Sequence, residues 1–224
     1  MPQNKIILVI GPKGSGKTRL VSELIEDIDR VAVFDMVKDS QYFQTGSKDR
    51  ENVTVIEGRP RDFATAIAPN KETFKVVYHP SIIKMEDNGL IDSPEFTMLV
   101  DVCHQRGNMY LVVDEAHLFC NSYNCPKELM MASLVGRHKE FSMILVAQSF
   151  TGVHPSIRRN TDELYFWKII EPSELDAIKD RCGKQVMEQV EELRAVEVDE
   201  HDQFKAPGQM LHWSKFKGIV EVTE

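Results

Sequence analysis

The chain has 224 residues, enough for one sizeable core and too few for two complete domains. Its 42% hydrophobic and 28% charged residues exclude a disordered or fibrous protein, and no apolar run approaches the roughly 20 residues that span a bilayer. With 35 acidic and 27 basic residues the net charge is −8, which excludes a general coat for nucleic acid.

The opening MPQNK has no signal-peptide pattern, so an intracellular, cytoplasmic protein is expected. Lys5–Ile10 then reads as a buried strand. It runs directly into GPKGSGKT, residues Gly11 to Thr18, and a helical stretch is expected over Lys17–Ile28. Strand, glycine-rich loop and helix are the context that gives G-x-x-x-x-G-K-[ST] its meaning. Glycines at 11, 14 and 16 let backbone amides curl around a phosphate, and the helix directs its positive end at the same anion. Gly11, Pro12, Lys13, Gly14, Ser15, Gly16, Lys17, Thr18 and the following Arg19 are therefore the candidate cradle for ATP. Lys17 would reach the β- and γ-phosphates, and the Thr18 hydroxyl would hold Mg²⁺.

Strands are next expected at Val31–Asp35, Val53–Glu57 and Lys75–His79, and helices at Pro60–Ala68 and Pro94–Arg106. Several helices carry proline in the first turn, where its missing N–H costs nothing. Between Met36 and Arg61, Lys38, Lys48, Arg50, Arg59 and Arg61 alternate with Tyr42 and Phe43. Such a stripe suits a nucleic-acid backbone, although Asp39, Asp49, Glu51 and Glu57 dilute it and a solvated loop fits equally.

Met109–Asp114 is the next strand, and YLVVDEAH ends it on two acids. Asp114 is placed to orient a magnesium shell opposite Thr18, and Glu115 to act as base or positioner for an attacking water. A helix is expected over Pro126–His138 and a strand over Met143–Ala147. That strand ends in Gln148, which could sense the γ-phosphate or hold the lytic water. His117 and His138 have no partner visible in the sequence and are assigned ordinary surface or cap roles. Cys103, Cys120, Cys125 and Cys182 match neither a disulfide framework nor a zinc spacing, so reduced structural thiols are expected.

Leu164–Ile169 (strand) and Pro172–Cys182 (helix) complete the alternation. Continuous apolar strands separated by helices predict an α/β fold with a mostly parallel sheet covered on both faces. The motor unit would span 1–182. From 183 to 224 an acidic helix (Lys184–Arg194) and a terminal hairpin (206–224) would form a short C-terminal appendage. Glu171 onward holds 13 acidic against 7 basic residues, while residues 1–170 hold 22 against 20. Most of the chain is therefore nearly neutral, and local basic loops could still touch DNA. A GTPase is excluded because the nearest base-reading motif, Asn70-Lys71-Glu72-Thr73, lacks its aspartate. A small-molecule kinase lacks its Arg-rich lid here, and a helicase built on DEAH would need a second motor domain.

GPKGSGKT, LVVDEAH, GRHKEFSMILVAQS (Gly136–Ser149) and HPSIRRNTDELYFWKIIEPSELDAI (His154–Ile178) together resemble the HerA/FtsK superfamily of P-loop ATPases, over about residues 4–182. That resemblance implies a RecA-like fold, ATP with Mg²⁺, and a homo-oligomeric ring that pumps double-stranded DNA. With no barrel or membrane segment beside the motor, the chain looks most like the small viral genome-packaging ATPases. Capsid or membrane-associated proteins would then be further partners, and the location host cytoplasm or virion. The resemblance gives Lys17, Thr18, Asp114, Glu115 and Gln148 the roles described above. It also calls for an arginine from a neighbouring subunit, with Arg137 the first candidate, then Arg158 or Arg159. The alternative is an ATP-dependent switch or assembly factor that pumps no DNA, a reading the acidic balance favours.

Overall fold

The computed structural model describes residues 5–38, 42–43, 53–81, 84–85, 91–198 and 204–223. In chain order its elements are β1 (Ile6–Ile10), α1 (Lys17–Ile25), β2 (Arg30–Phe34), β3 (Val53–Glu57), α2 (Pro60–Ala66), β4 (Phe74–His79), the short β5 (Lys84–Met85) and β6 (Ile91–Asp92), and α3 (Pro94–Arg106). There follow β7 (Met109–Val113), α4 (Lys127–Val135), β8 (Phe141–Ala147), α5 (Pro155–Asn160), β9 (Glu163–Trp167), α6 (Pro172–Cys182), α7 (Lys184–Glu192), the short β10 (Glu197–Val198) and β11 (Phe204–Ala206), β12 (Met210–Ser214) and β13 (Gly218–Thr223).

Nine strands form one sheet in the order β13-β12-β9-β1-β8-β7-β2-β4-β3. From β9 to β3 every pairing is parallel, as expected for apolar strands buried on both faces. All residues of β1, β7 and β8 are buried. The alternation of a strand sends Ile7 and Val9 to one face, against Val21 and Ile25 of α1. Ile6, Leu8 and Ile10 face the other side, where Phe63, Phe96, Leu129, Ile157 and Ile178 bring α2 to α6. One helix thus covers one face and several cover the other. Helix α3 shows how local sequence sets the ends. The Ser93 side chain accepts the Phe96 N–H at 3.2 Å, Pro94 follows, and Gly107 with φ 62° closes the last turn.

Some boundaries differ from the sequence expectation. Helix α1 stops at Ile25 instead of Ile28, because the chain tightens into a turn in which the Ile28 N–H donates to the Ile25 carbonyl at 3.2 Å. The helix expected over Pro126–His138 divides at Gly136 into α4 and a tighter turn, Gly136–Lys139. Gly136 lies so close to Phe141 that an added Cβ would sit 3.2 Å from the Phe141 carbonyl oxygen. Helix α5 was not anticipated, since six residues are too few to display a helical period. The terminal hairpin does not stand apart: β12 pairs antiparallel with β9 and extends the main sheet.

Candidate active site

The parallel strands deliver their C-terminal ends to one rim, where ligands of open α/β sheets bind. β8 lies between β1 and β7, so Gln148 stands between the glycine-rich loop and the acids after β7. The Gly11 N–H donates to the Ala147 carbonyl at 3.3 Å and ties the loop to that neighbour. Gly14 (φ 77°) and Gly16 (φ 96°) occupy the left-handed region, and a Cβ at either would meet nothing within 4 Å. Backbone freedom, not clearance, is what these two glycines supply. Lys17 is buried. Its Nζ donates to the Gly11 and Pro12 carbonyls, both at 2.8 Å, which leaves one of three donors for a ligand. Burial lowers its pKa, against the pull of Glu115 and Asp114. The Ser15 hydroxyl is buried with no partner among the described residues, as suits a loop that closes on an anion.

Asp114 follows β7 and is also buried. Burial, then the charge of Glu115, raises its pKa to about 6, and the Glu115 N–H donated to its Oδ1 at 3.0 Å only partly offsets this. Asp35, fully buried after β2, adds a third carboxylate. It accepts the N–H groups of Val37 (3.0 Å) and Lys38 (3.2 Å), and its Oδ2 lies 3.3 Å from His79 Nδ1. Among the described residues no three His, Cys, Asp or Glu side chains converge on one metal position, so the donors on offer for Mg²⁺ are the Asp114 carboxylate and the Thr18 hydroxyl, hard oxygens of the kind that ion takes.

Glu115 has a left-handed backbone (φ 48°), a costly state for a residue with a side chain. Gln148 Nε2 donates to both Glu115 oxygens, at 3.1 and 3.2 Å. His117, expected to be ordinary, instead stands with Nδ1 3.4 Å from Glu115 Oε2 without hydrogen-bond geometry. Burial lowers its pKa and favours neutral imidazole. The segment after Gln148 is fixed by Glu174 of α6, whose carboxylate accepts the Phe150 N–H at 2.9 Å, the Ser149 hydroxyl and the Thr151 hydroxyl.

The basic and aromatic stripe is corrected by the structure. Tyr42 and Phe43 are buried behind β2, because their rings are needed to cover the face left by α1, so neither ring is displayed for stacking on a base. Lys38 pairs with Glu57 and Arg59 with Asp62, while Lys48 and Arg50 lie outside the described residues. Tyr42 belongs with the active site. Its hydroxyl lies beside Asp114 and Thr18, and its pKa is pushed up by burial and by the charges of Asp114 and Asp35.

Arg137 does not join the site within one chain. Arg137 is exposed before β8, at the strand ends opposite the P-loop, beside a cavity of ≈710 Å³ shared with Lys5 and Asp162. A five-residue strand alone is roughly 16 Å long. Arg158 is half-buried with its guanidinium 5.1 Å from the Phe150 ring centre, and Arg159 is exposed.

Sequence comparison matches residues 2–151, more than half the chain, to the AAA domain family. The chain belongs to that family. This AAA domain is an ATPase of the P-loop type. No curated protein matches it. Among solved structures it is similar to the genome packaging NTPase B204 of Sulfolobus turreted icosahedral virus 2 in complex with AMPPCP. That match has a TM-score of 0.70 and 18% identity, over 100% of this chain and 99% of the other. The sulfate complex of the same NTPase gives a TM-score of 0.72 at 17% identity, over 100% and 98%. B204 described as the DNA-packaging ATPase of Sulfolobus turreted icosahedral virus gives 0.69 at 18%, also over 100% and 98%. At these identities the likeness establishes the fold, an α/β P-loop NTPase along the whole chain. Among the described residues no helix is long and apolar enough to cross a membrane.

Proposed function

We propose that this AAA domain is the subunit of an oligomeric motor that couples ATP hydrolysis to translocation or packaging of double-stranded DNA. The observation that carries the proposal is the end-to-end likeness to a DNA-packaging ATPase, which leaves no part of the chain outside the motor fold. That Arg137 stands at the strand ends opposite the P-loop supports the oligomer.

In this reading Lys17 and the backbone of residues 11–18 bind the phosphates, with Ser15 closing on them. Thr18 and Asp114 hold Mg²⁺, and Tyr42 and Asp35 position them. Bound there, the ion would neutralise charge on the phosphates and orient the leaving group. Glu115 takes the proton of the attacking water. Gln148 holds Glu115 back until a γ-phosphate competes for its amide, so the base is released when substrate is in place. Lys17→Ala removes a charge-assisted contact and is expected to weaken ATP binding roughly tenfold to a hundredfold, measured by calorimetry on folded protein. Unchanged affinity would overturn the cradle assignment.

The partner is tested by ATP turnover with and without duplex DNA. Severalfold stimulation, falling with added salt as phosphate contacts are screened, is expected for a motor. Turnover indifferent to DNA would favour the ATP-dependent switch or assembly factor, the reading to which the net charge of −8 lends support.

A further inference from the structure

The turn after β7 is anchored in the core. The Leu118 N–H donates to the Glu115 carbonyl at 2.9 Å, and the Phe119 and Cys120 N–H groups donate to the Ala116 carbonyl at 3.1 and 3.0 Å. Phe119 and Cys120 are both buried. The Phe119 ring stacks on Phe96 with 4.4 Å between centres and meets Phe34 edge-on at 5.2 Å. Glu115 opens this turn in its left-handed conformation, and the side chain two positions on, His117, comes back beside the Glu115 carboxylate. Strain held by its surroundings in this way is a mark of a functional position.

Two side-chain nitrogens of the described residues stand close to that carboxylate. Gln148 Nε2 donates to both oxygens, at 3.1 and 3.2 Å. His117 Nδ1 lies 3.4 Å from Oε2 but out of line for a bond, and it is buried with no partner among the described residues. A buried ring nitrogen left open is costly, and a second state in which it is paired accounts for it. Gln148 supplies the occasion. One amide nitrogen makes both contacts, so drawing it off to a γ-phosphate takes both from Glu115 at once. A part-buried carboxylate stripped of its donors loses its aim together with its partners.

We propose that His117 is a positioning residue for hydrolysis: when the γ-phosphate draws Gln148 away, the His117 Nδ1–H takes over Glu115 Oε2 and holds the freed carboxylate toward the attacking water. The proposal rests on the reading of Glu115 as the base. A small turn of the glutamate side chain closes the 3.4 Å approach. A neutral donor orients a carboxylate and leaves its negative charge in place, whereas a cation there would make it a poorer base. Burial, with the charge of Lys17, keeps the imidazole neutral against the pull of Glu115. Gln148 then detects the substrate, and His117 is the support that remains.

Three variants of the full chain test this. His117→Leu and His117→Ala both remove the donor, so a fold that tolerates either one is enough. His117→Asn carries an amide nitrogen at the position of Nδ1. Without the donor, kcat is expected to fall about tenfold to a hundredfold, the worth of one hydrogen bond to a charged group. Affinity for a non-hydrolysable ATP analogue, measured by calorimetry, should stay as it was, and His117→Asn should restore most of the rate. In single turnover, His117→Leu added to Glu115→Gln should cost nothing further, because a residue that acts through Glu115 has no work once the base is gone. An unchanged kcat in His117→Leu or His117→Ala overturns the inference. So does a loss that His117→Asn fails to restore, or an equal loss in the Glu115→Gln background, since either makes the ring a packing element. If Glu115→Gln alone hydrolyses ATP near the parent rate, the base reading itself falls and takes the inference with it.

Discussion

Replacing Glu115 by glutamine is expected to leave ATP bound and to slow its hydrolysis about 10²–10⁴-fold, the usual worth of a positioned general base. The exchange keeps size and shape, and the new amide oxygen still accepts one bond from Gln148 Nε2, now 3.1 Å from the glutamate. Only the negative charge that draws a proton from water is lost. Single-turnover hydrolysis and nucleotide trapping measure the two halves separately. If the variant hydrolyses ATP near the parent rate, another acid does the chemistry, and Asp35 is the next to test.

Mixed assemblies are the second large effect. An arginine that offsets charge on the transferred phosphoryl group is worth about 10³–10⁵ in rate, so Arg137→Ala alone and Glu115→Gln alone should each be nearly inactive. Mixed together, some interfaces pair an intact Glu115 with an intact Arg137, and activity returns. Arg137 is tested first because it is exposed and free to reach a neighbour, whereas Arg158 is packed on Phe150. The same mixture with Arg158→Ala or Arg159→Ala identifies which arginine acts across the interface. No rescue with any of them, together with specific activity independent of protein concentration, would mean a self-sufficient monomer.

Legibility in the sequence followed locality. Gly11 to Thr18 could be read because strand, loop and helix are contiguous, and Asp114-Glu115 because an apolar run ends abruptly on acids. Asp35 offered the same signal after VAVF and was passed over, since nothing nearby named a ligand for it. Tyr42 is not legible locally: its placement behind β2 depends on which face of the sheet lacks helices, and no local pattern carries that. Glu174 and Trp167 reach the site from α6 and β9, and only the sheet order shows that they lie near Gln148 and Gly11. GRH names Arg137 as an arginine for a neighbouring subunit, and the strand between them sets Arg137 and Gln148 at opposite ends of β8, a separation that sequence distance alone does not show.

The position of β1 also governs how the chain must be made. It is synthesised well before either of its neighbours, yet it lies inside the sheet between β8 and β9. Lys5 and the Ser142 hydroxyl that binds its N–H are 137 residues apart. At about 5–20 residues per second, IILVI would wait roughly 7 to 27 s after leaving the ribosome before its first neighbour exists. During that interval both of its edges are bare, which makes this short run a hazard for misassembly with other nascent chains. The lysine before it and the glycine-rich loop after it act as gatekeepers, so the loop that cradles the phosphate also protects the strand it follows while the chain is still being made.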